Sequence, residues 1–184
     1  MKTYSIITRA LALLGFFACG QNTYAQTGPS VNLFTPDYAE TIAVPNKDWE
    51  TIFTFKDDSI SLDCHQSENA VFGFKGQSAT FDKICIFIPE MNRFNIGILD
   101  LLVSDSSSGP FKKAIRIQPA NIRMSQTRGW QKFEFDPITT KYFKFKVENA
   151  DDVASTTGPY DNSDFTLYRD GDNIGLQIIG TINP

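Results

Sequence analysis

The stretch KYFKFKV, residues 141–147, alternates apolar and basic side chains and decides the fold class. Phe143, Phe145 and Val147 share one parity, and lysines occupy the positions between them. Successive side chains of a β-strand point to opposite faces of the sheet, so this pattern predicts a strand with one buried and one exposed face. Because a strand cannot bury both parities, the two intervening lysines should face water.

Segments with the same period of two extend in both directions from this strand. They are WETIFTF (49–55), NAVFGFKG (69–76), ATFDKICIFIP (79–89), NIGILDLLVSD (95–105), KKAIRIQ (112–118), WQKFEF (130–135) and IGLQIIGTI (174–182). Turn residues separate them, and no stretch is typical of a helix. The sequence therefore predicts an all-β protein with a single antiparallel β-sandwich over residues 47–184 and an arm, residues 26–46, that pairs along its edge.

The first 25 residues have the features of a secretory signal peptide. Lys2 and Arg9 precede or border the apolar run ALALLGFFA (10–18), which is too short to span a bilayer. Small side chains up to Ala25 predict cleavage after that residue. We therefore expect a secreted chain, extracellular or periplasmic, that begins at Gln26.

A second interpretation of the same segment uses Cys19. The sequence FFAC followed by Gly20 resembles a bacterial lipoprotein box, in which the cysteine is acylated. In that case the protein would be an outer-surface lipoprotein with a lipid anchor. After the signal, no apolar run approaches the roughly 20 residues that a membrane-spanning helix needs.

The net charge of the chain argues against one class of partner, nucleic acids. The chain has 17 Lys and Arg against 21 Asp and Glu, a net charge of −4. A chain with a net acidic charge does not suit a nucleic-acid partner that would need a broad basic surface.

The cysteine content allows one disulfide in the exported chain. Cys64 and Cys85 are the two cysteines after the signal, and an oxidising compartment permits a bridge between them. The alternative is that Cys85, within an apolar strand, is a small hydrophobic residue with a thiol. Two cysteines and the single His65 cannot supply the four ligands of a structural zinc site.

The order of four segments carries a family resemblance. FDKICIFIP (81–89), LDLLVSDSSSGPFKKA (99–114), WQKFEFDPITTKYFKFKV (130–147) and LQIIGTI (176–182) together resemble the discoidin-type domain, the coagulation-factor type C family of the galactose-binding-like superfamily. The resemblance covers about residues 72–182. It implies a discoidin-like jelly roll that binds a glycan or another cell-surface polymer through loops at one end, with Phe111 as a buried plug behind the turn.

The resemblance also points to individual site residues. Many sugar-binding members carry an arginine directly after the proline of the IFIP strand, whereas Glu90 follows Pro89 here and the nearest arginine is Arg93. His65 lies in a loop that reads Trp-His in sugar-binding relatives. Members with a structural calcium place a glutamate where this chain has Gly175. These departures put both the usual sugar clamp and the usual calcium site in doubt, and Glu90, Arg93 and His65 are the candidate ligand contacts at the corresponding positions. The alternative for His65 is an exposed polar loop residue, because Cys64 stands in place of the tryptophan.

The segment SQTRGWQ (125–131) suggests a second set of ligand contacts from the residues themselves. Phe133 and Phe135 set the inward parity of the strand, and Trp130 falls on the other parity, next to Arg128. An exposed tryptophan beside an arginine suits stacking on the apolar face of a sugar, with hydrogen bonds to its hydroxyls. The alternative is a tryptophan at the rim, half-covered by a neighbouring loop.

The loop GPYDNSDFTLYRDGDN (158–173) is the most polar part of the chain. Tyr160 and Tyr168 flank it and could extend an aromatic platform. Clustered carboxylates are the ligands that calcium prefers, but their spacing fits no EF-hand loop and RDGDN is also an ordinary turn sequence. The acidic residues concerned are Asp161, Asp164, Asp170 and Asp172.

These features favour a binding module over an enzyme. His65 is the single histidine, no serine occupies a nucleophile elbow, and paired acids such as Asp57 and Asp58 are adjacent turn residues whose side chains diverge. We expect a non-catalytic module that recognises a carbohydrate. The alternatives are an adhesive surface module that binds another protein without a sugar pocket, and an accessory domain or degenerate form of a hydrolase.

Overall fold

Three antiparallel sheets contain the strands of the computed structural model, which describes residues 28–89, 95–119, 128–150 and 164–183. The four-stranded sheet has the order β1 (Val31–Asn32), β12 (Leu176–Asn183), β5 (Ser78–Ile88) and β8 (Gly129–Thr140). The five-stranded sheet has the order β2 (Glu40–Ala43), β4 (Val71–Gly73), β9 (Tyr142–Asn149), β6 (Ile96–Ser104) and β7 (Lys112–Ile117). The three-stranded sheet has the order β11 (Asn173–Ile174), β10 (Asp164–Asp170) and β3 (Ser59–Asp63). The all-β antiparallel sandwich predicted from the sequence is confirmed.

The register of β9 is also as predicted. Phe143, Phe145 and Val147 are buried, whereas Lys146 is exposed. Lys144 faces outward too, but it is half-buried because its Nζ donates to the carbonyl of Glu68 at 3.0 Å.

Aromatic side chains fill the space between the two larger sheets. Phe74, next to β4, contacts Phe81 of β5 with ring centroids 6.1 Å apart, which joins the five-stranded to the four-stranded sheet. On the other side Phe74 stacks on Phe143 at 5.0 Å. Aromatic pairs at these separations stabilise a core beyond the effect of buried area alone.

The segment before residue 47 contributes to this core as well as to the sheet edges. β1 pairs with β12 and β2 pairs with β4, each at the edge of a sheet. Leu33 and Phe34 between them are fully buried, and the Phe34 ring lies 5.7 Å from that of Phe145. The N-terminal arm is thus partly an internal element.

The segment WETIFTF is not a strand, and the prediction that the chain has no helical stretch is wrong. Helix α1 spans Lys47–Glu50 and continues as a series of turns. The Asn46 side chain caps it by accepting from the backbone N–H groups of Asp48 and Trp49, both at 3.1 Å. Trp49 and Ile52 are buried at a helical spacing of three. A 3-10 helix, Cys64–Asn69, follows β3.

The turn VSDSSSGPF between β6 and β7 forms as expected, but Phe111 is not a core plug. The ring is only half-buried, and the ammonium of Lys144 lies 4.6 Å from its centroid. Since Lys144 projects from the outer face of the five-stranded sheet, Phe111 covers that outer face instead of entering the sandwich.

The inward parity of Phe133 and Phe135 is correct, although both rings are only partly buried. They pack against the core from β8, which is the edge strand of the four-stranded sheet. No described strand continues the sheet beyond β8 to cover them.

Cys64 and Cys85 do not form the disulfide that the sequence allowed. Cys64 is part of the buried core, whereas Cys85 alternates with the buried Ile84 and Ile86 and therefore projects from the outer face of β5. The two side chains lie on different sides of the four-stranded sheet, so their sulfur atoms cannot meet.

The three-stranded sheet is in contact with both larger sheets through β10. At the start of β10, the Asn149 side chain of β9 donates to the carbonyl of Asp164 at 3.2 Å. At its end, Asp170 bonds a side chain of β8. In the part of the chain that the structure describes, no helix has the length and apolar character that crossing a membrane would require.

Candidate functional site

Trp130 is the most exposed aromatic ring on the four-stranded sheet. It is the second residue of β8, projects from the outer face, and is 36% exposed. Its neighbour across the strand pair is Phe87 of β5, with ring centroids 5.4 Å apart at an interplanar angle of 42°. One part of the indole is therefore supported by an aromatic ring, and another part is open to solvent.

A hydrogen bond fixes the orientation of this indole. Trp130 Nε1 donates to Oδ2 of Asp170 at 2.7 Å. Arg169 holds the turn that carries Asp170, because its guanidinium donates to the carbonyls of Phe55 and Asp172, each at 2.7 Å. The exposed ring is thus held in one orientation before any ligand arrives, which reduces the entropy that binding would cost.

Arg128 lies beside Trp130 and is exposed. Gly129 separates them and has a φ of 88°, in the left-handed region that favours glycine. A guanidinium carries five N–H donors and never loses its charge in ordinary conditions. Arg128 is thus an exposed hydrogen-bond donor two residues from Trp130, whose ring is half-covered by Phe87 and by the turn that carries Asp170. That these two residues contact a ligand stays a prediction.

His65 does not join this pair. It follows Asp63, whose Oδ1 accepts from the His65 backbone N–H at 2.8 Å, and Asp63 pairs with Asp164 at the start of β10. Trp130 contacts Asp170 at the other end of the same strand. Six residues at the usual rise of a β-strand separate these ends by about 20 Å. His65 and Trp130 are thus not part of one small-molecule site.

The remaining predicted contacts, Glu90, Arg93 and Tyr160, lie outside the described residues, as does Asp161 of the calcium hypothesis. Asp164 and Asp170 lie at opposite ends of β10, so they cannot bind the same ion. Asp170 is also engaged with Trp130. Within the described ranges, no group of three His, Cys, Asp or Glu side chains is placed to hold a metal ion.

The outer face of β8 continues from Trp130 into a salt-bridge cluster. Glu134 Oε1 lies 2.9 Å from Nζ of Lys132 and 3.5 Å from Nζ of Lys83. The hydrogen bond from Lys132 is the main reason that the pKa of Glu134 is lowered, and Lys83 adds to this effect. Cys85 lies close to these groups, yet burial raises the pKa of its thiol. A protonated thiol is a poor nucleophile, so this face has the character of a charged, unreactive surface.

Three residues of the site were not assigned this role from the sequence. Phe87 supports the indole, Asp170 accepts its N–H, and Arg169 holds the turn. The sequence pattern does predict the direction of Phe87. It has the opposite parity to the isoleucines of ICIFI and therefore projects outward. Asp170 and Arg169 carried no such signal, since their contacts depend on how β10 lies against β8.

No family model matches the sequence, and no curated protein matches it either. Among solved structures, the chain is similar to a family 32 carbohydrate-binding module of Clostridium perfringens, CpGH89CBM32-5, in complex with GalNAc-β-1,3-galactose. The identity is 12%, the similarity covers 76% of this chain and 92% of that one, and the TM-score is 0.43.

Two further solved structures are similar to the chain. The family 32 module of C. perfringens NanJ in complex with galactose has 10% identity, coverage of 77% and 91%, and a TM-score of 0.42. The C-terminal domain of a chitobiase from Bacteroides fragilis has 11% identity, coverage of 70% and 68%, and a TM-score of 0.40. With every TM-score below 0.5, these similarities assign neither a ligand nor an activity to this chain.

Proposed function

We propose that this chain is a non-catalytic carbohydrate-binding module whose ligand stacks on Trp130. The observation that carries the proposal is the indole itself, which is 36% exposed, supported by Phe87 and held by Asp170. Tryptophan is enriched at binding surfaces because it combines a large apolar ring with an N–H donor.

The chemistry of the site suits a sugar. The C–H groups on one face of a pyranose pack against an indole, and its hydroxyls need hydrogen-bond partners at the edge. Trp130 Nε1 already donates to Asp170, so the polar contacts would come from Arg128. Glu90, Arg93 and Tyr160 remain proposed contacts, whereas His65 is not included because it lies at the other end of β10.

A single open site of this kind binds weakly. Stacking and a few hydrogen bonds give dissociation constants of roughly micromolar to millimolar. Display of many copies on a surface would raise the effective affinity. We therefore also propose that the chain works outside the cell, either secreted after cleavage at Ala25 or anchored through Cys19.

Substitution of Trp130 tests the proposal. The exported protein and its Trp130→Ala variant are compared on a glycan array, with thermal unfolding measured in parallel. We expect glycan binding to be lost while Tm stays within a few degrees of the wild type, because the ring is outside the core. Trp49→Ala is the matched contrast: that ring is buried, so its removal should lower Tm strongly.

Two results would count against the site. Unfolding of Trp130→Ala would show that the indole is a structural element. Unchanged binding with unchanged stability would move the sugar site to another surface.

A second candidate function, adhesion to a protein partner, is favoured by a different surface. Tyr38, Ile42 and Val44 are large apolar side chains with 36–41% exposure on or beside β2, the edge strand of the five-stranded sheet. Exposed apolar edge strands are common contact surfaces between proteins.

Enzymatic deglycosylation of a target cell surface separates the two functions. Binding through Trp130 should be lost after this treatment. Binding through the β2 surface should persist and should instead be abolished by Ile42→Lys.

A further inference from the structure

A cleft opens at the end of the sandwich where β6 turns into β7. Its volume is about 440 Å³, and its lining includes Val103, Ser104, Asp105, Pro110, Lys112 and Thr139. Thr139 is near the end of β8 and Trp130 is near its start, nine residues earlier. Their partners on β5, Thr80 and Phe87, are seven residues apart, which corresponds to about 23 Å at the rise of an extended strand. The cleft is therefore a separate place from the Trp130 site.

Hydrogen bonds hold the walls of the cleft in place. The Ser106 backbone N–H donates to Oγ of Ser104 at 3.1 Å, and the Gly109 N–H donates to the Ser106 carbonyl at 3.0 Å. On the opposite wall, the hydroxyl of Thr139 bonds that of Thr80 at 2.7 Å. Thr140 ties the two walls together, since its hydroxyl donates to the carbonyl of Ser104 at 2.9 Å.

The two charged side chains of the lining remain available. Asp105 and Lys112 are exposed, and neither forms an ion pair with another residue in the described ranges. Their charges are of opposite sign, so the cleft as a whole is neutral. A ligand with a net charge would leave one of the two groups unfavourably placed.

The lining combines the features that a sugar ring requires. Val103 and Pro110 provide an apolar surface, serine and threonine hydroxyls line the walls, and Asp105 and Lys112 provide a strong acceptor and a strong donor. The volume lies within the range of small-molecule clefts, about 300–1,000 Å³. The two oxygens of a carboxylate can accept hydrogen bonds from two adjacent hydroxyls of one sugar ring. An apolar ligand, or one with a single polar group, cannot form this pair of hydrogen bonds.

We propose that this cleft is a second binding site, for a neutral pyranose, with Asp105 and Lys112 as its polar contacts. This inference rests on the proposed function in one respect, namely that the ligand is a carbohydrate. Two sites at opposite ends of one sandwich would let a single molecule bridge two glycan chains, which raises avidity without any new contact.

Amide-resolved NMR titration tests both sites in one experiment. The exported protein, labelled with ¹⁵N, is titrated separately with D-galactose, D-glucose and N-acetyl-D-glucosamine. We expect at least one of these sugars to shift the backbone amides of Ser104–Ser108 and Thr139 at millimolar concentrations. The charged sugars D-galacturonate and D-glucosamine should shift them less.

The pattern of shifts distinguishes failure of this inference from failure of the proposed function. Shifts of the Trp130 indole N–H alone would overturn the second site and leave the proposed function standing. Shifts of the turn amides alone would support the second site and contradict the Trp130 site. The absence of both, with all three neutral sugars, would overturn both proposals.

A charge-removing variant gives an independent test of the contacts. Asp105→Asn keeps the shape of the exposed side chain but removes its charge, so folding should be unaffected. We expect the sugar to bind about tenfold more weakly at the turn, the effect of weakening one charged hydrogen bond. Asp57→Asn, another exposed turn position, is the matched control and should bind as the wild type does. Equal affinities for the two variants would overturn the assignment of Asp105.

Discussion

At the scale of single residues, Asp100 is a nearly buried carboxylate that is bonded to two basic side chains. It lies on β6 with its side chain only 5% exposed, and Nε and one terminal nitrogen of Arg116 donate to its two oxygens at 2.7 and 2.8 Å. Lys113 adds a contact at 3.5 Å. These hydrogen bonds, chiefly those of Arg116, lower the pKa of Asp100 below its ordinary value of 3.8.

This lowered pKa predicts a pH-dependent contribution to stability. The carboxylate stabilises the fold at all pH values above 3.8, and that contribution is lost as the pH falls through the lower pKa of the folded state. Asp100→Asn should reduce the free energy of unfolding by about 1.5–3 kcal/mol at pH 7, the usual worth of hydrogen bonds to a charged group. Urea unfolding measures the difference in free energy of unfolding between the wild type and Asp100→Asn. This difference should be smaller at pH 3 than at pH 7.

Asp57→Asn serves as the comparison for this substitution, because Asp57 is exposed on a turn. Its free energy of unfolding should match that of the wild type at both pH values. A variant Asp100→Asn that is as stable as the wild type at pH 7 would contradict the assigned role of the Arg116 pair.

At the scale of elements, the position of a strand in its sheet decides how much an inward side chain contributes to the free energy of unfolding. Phe143 and Phe133 have the same residue type and both face inward. Phe143 belongs to β9, which lies between two other strands and is fully buried, whereas Phe133 belongs to the edge strand β8 and is partly exposed.

This difference predicts unequal costs for the same truncation. Phe143→Ala should lower the free energy of unfolding by about 3–5 kcal/mol, because it opens a cavity in a closed part of the core. Phe133→Ala should cost clearly less, because water already reaches part of its ring. Chemical denaturation of both variants measures the two values, and a cost for Phe133→Ala equal to or above that of Phe143→Ala would show that β8 is covered in solution.

At the scale of the whole molecule, the sandwich places the side chains of Cys64 and Cys85 on different sides of the four-stranded sheet. Cys64 is enclosed between the sheets, while Cys85 faces outward from β5 beside Lys83 and Lys132. The fold therefore depends on packing of the two larger sheets and not on a covalent link between cysteines.

This arrangement predicts how the folded protein responds to thiol reagents and reductants. A reducing agent should leave Tm unchanged, because no disulfide joins Cys64 to Cys85. In the native state a thiol reagent should modify Cys85 slowly, since burial raises its pKa, and should modify Cys64 only on unfolding. Mass spectrometry of reagent-treated protein checks both expectations. A fall of Tm in reductant would contradict the structure.

The sequence by itself determined the fold class and the faces of its long strands. In KYFKFKV and ICIFI the alternation is unbroken, and each strand buries the parity that the pattern assigns. Local pattern is sufficient there, because the backbone geometry of a strand dictates which side chains share a face. The same rule assigns Trp130 to the outer face of β8, whereas the cover of its ring by Phe87 and Asp170 was left open by the sequence.

Only the tertiary structure decided which residues meet. In WETIFTF, Thr51 and Ile52 break the alternation because this segment follows a helix start that Asn46 caps. A single capping residue six positions before Ile52 is a weaker signal than the aromatic residues around it. The separation of His65 from Trp130, and the hydrogen bond from Trp130 to Asp170, depend on how β10 of the three-stranded sheet lies against β8 and β9. Such contacts join residues far apart in the chain, and a pattern with a period of two carries no information about them.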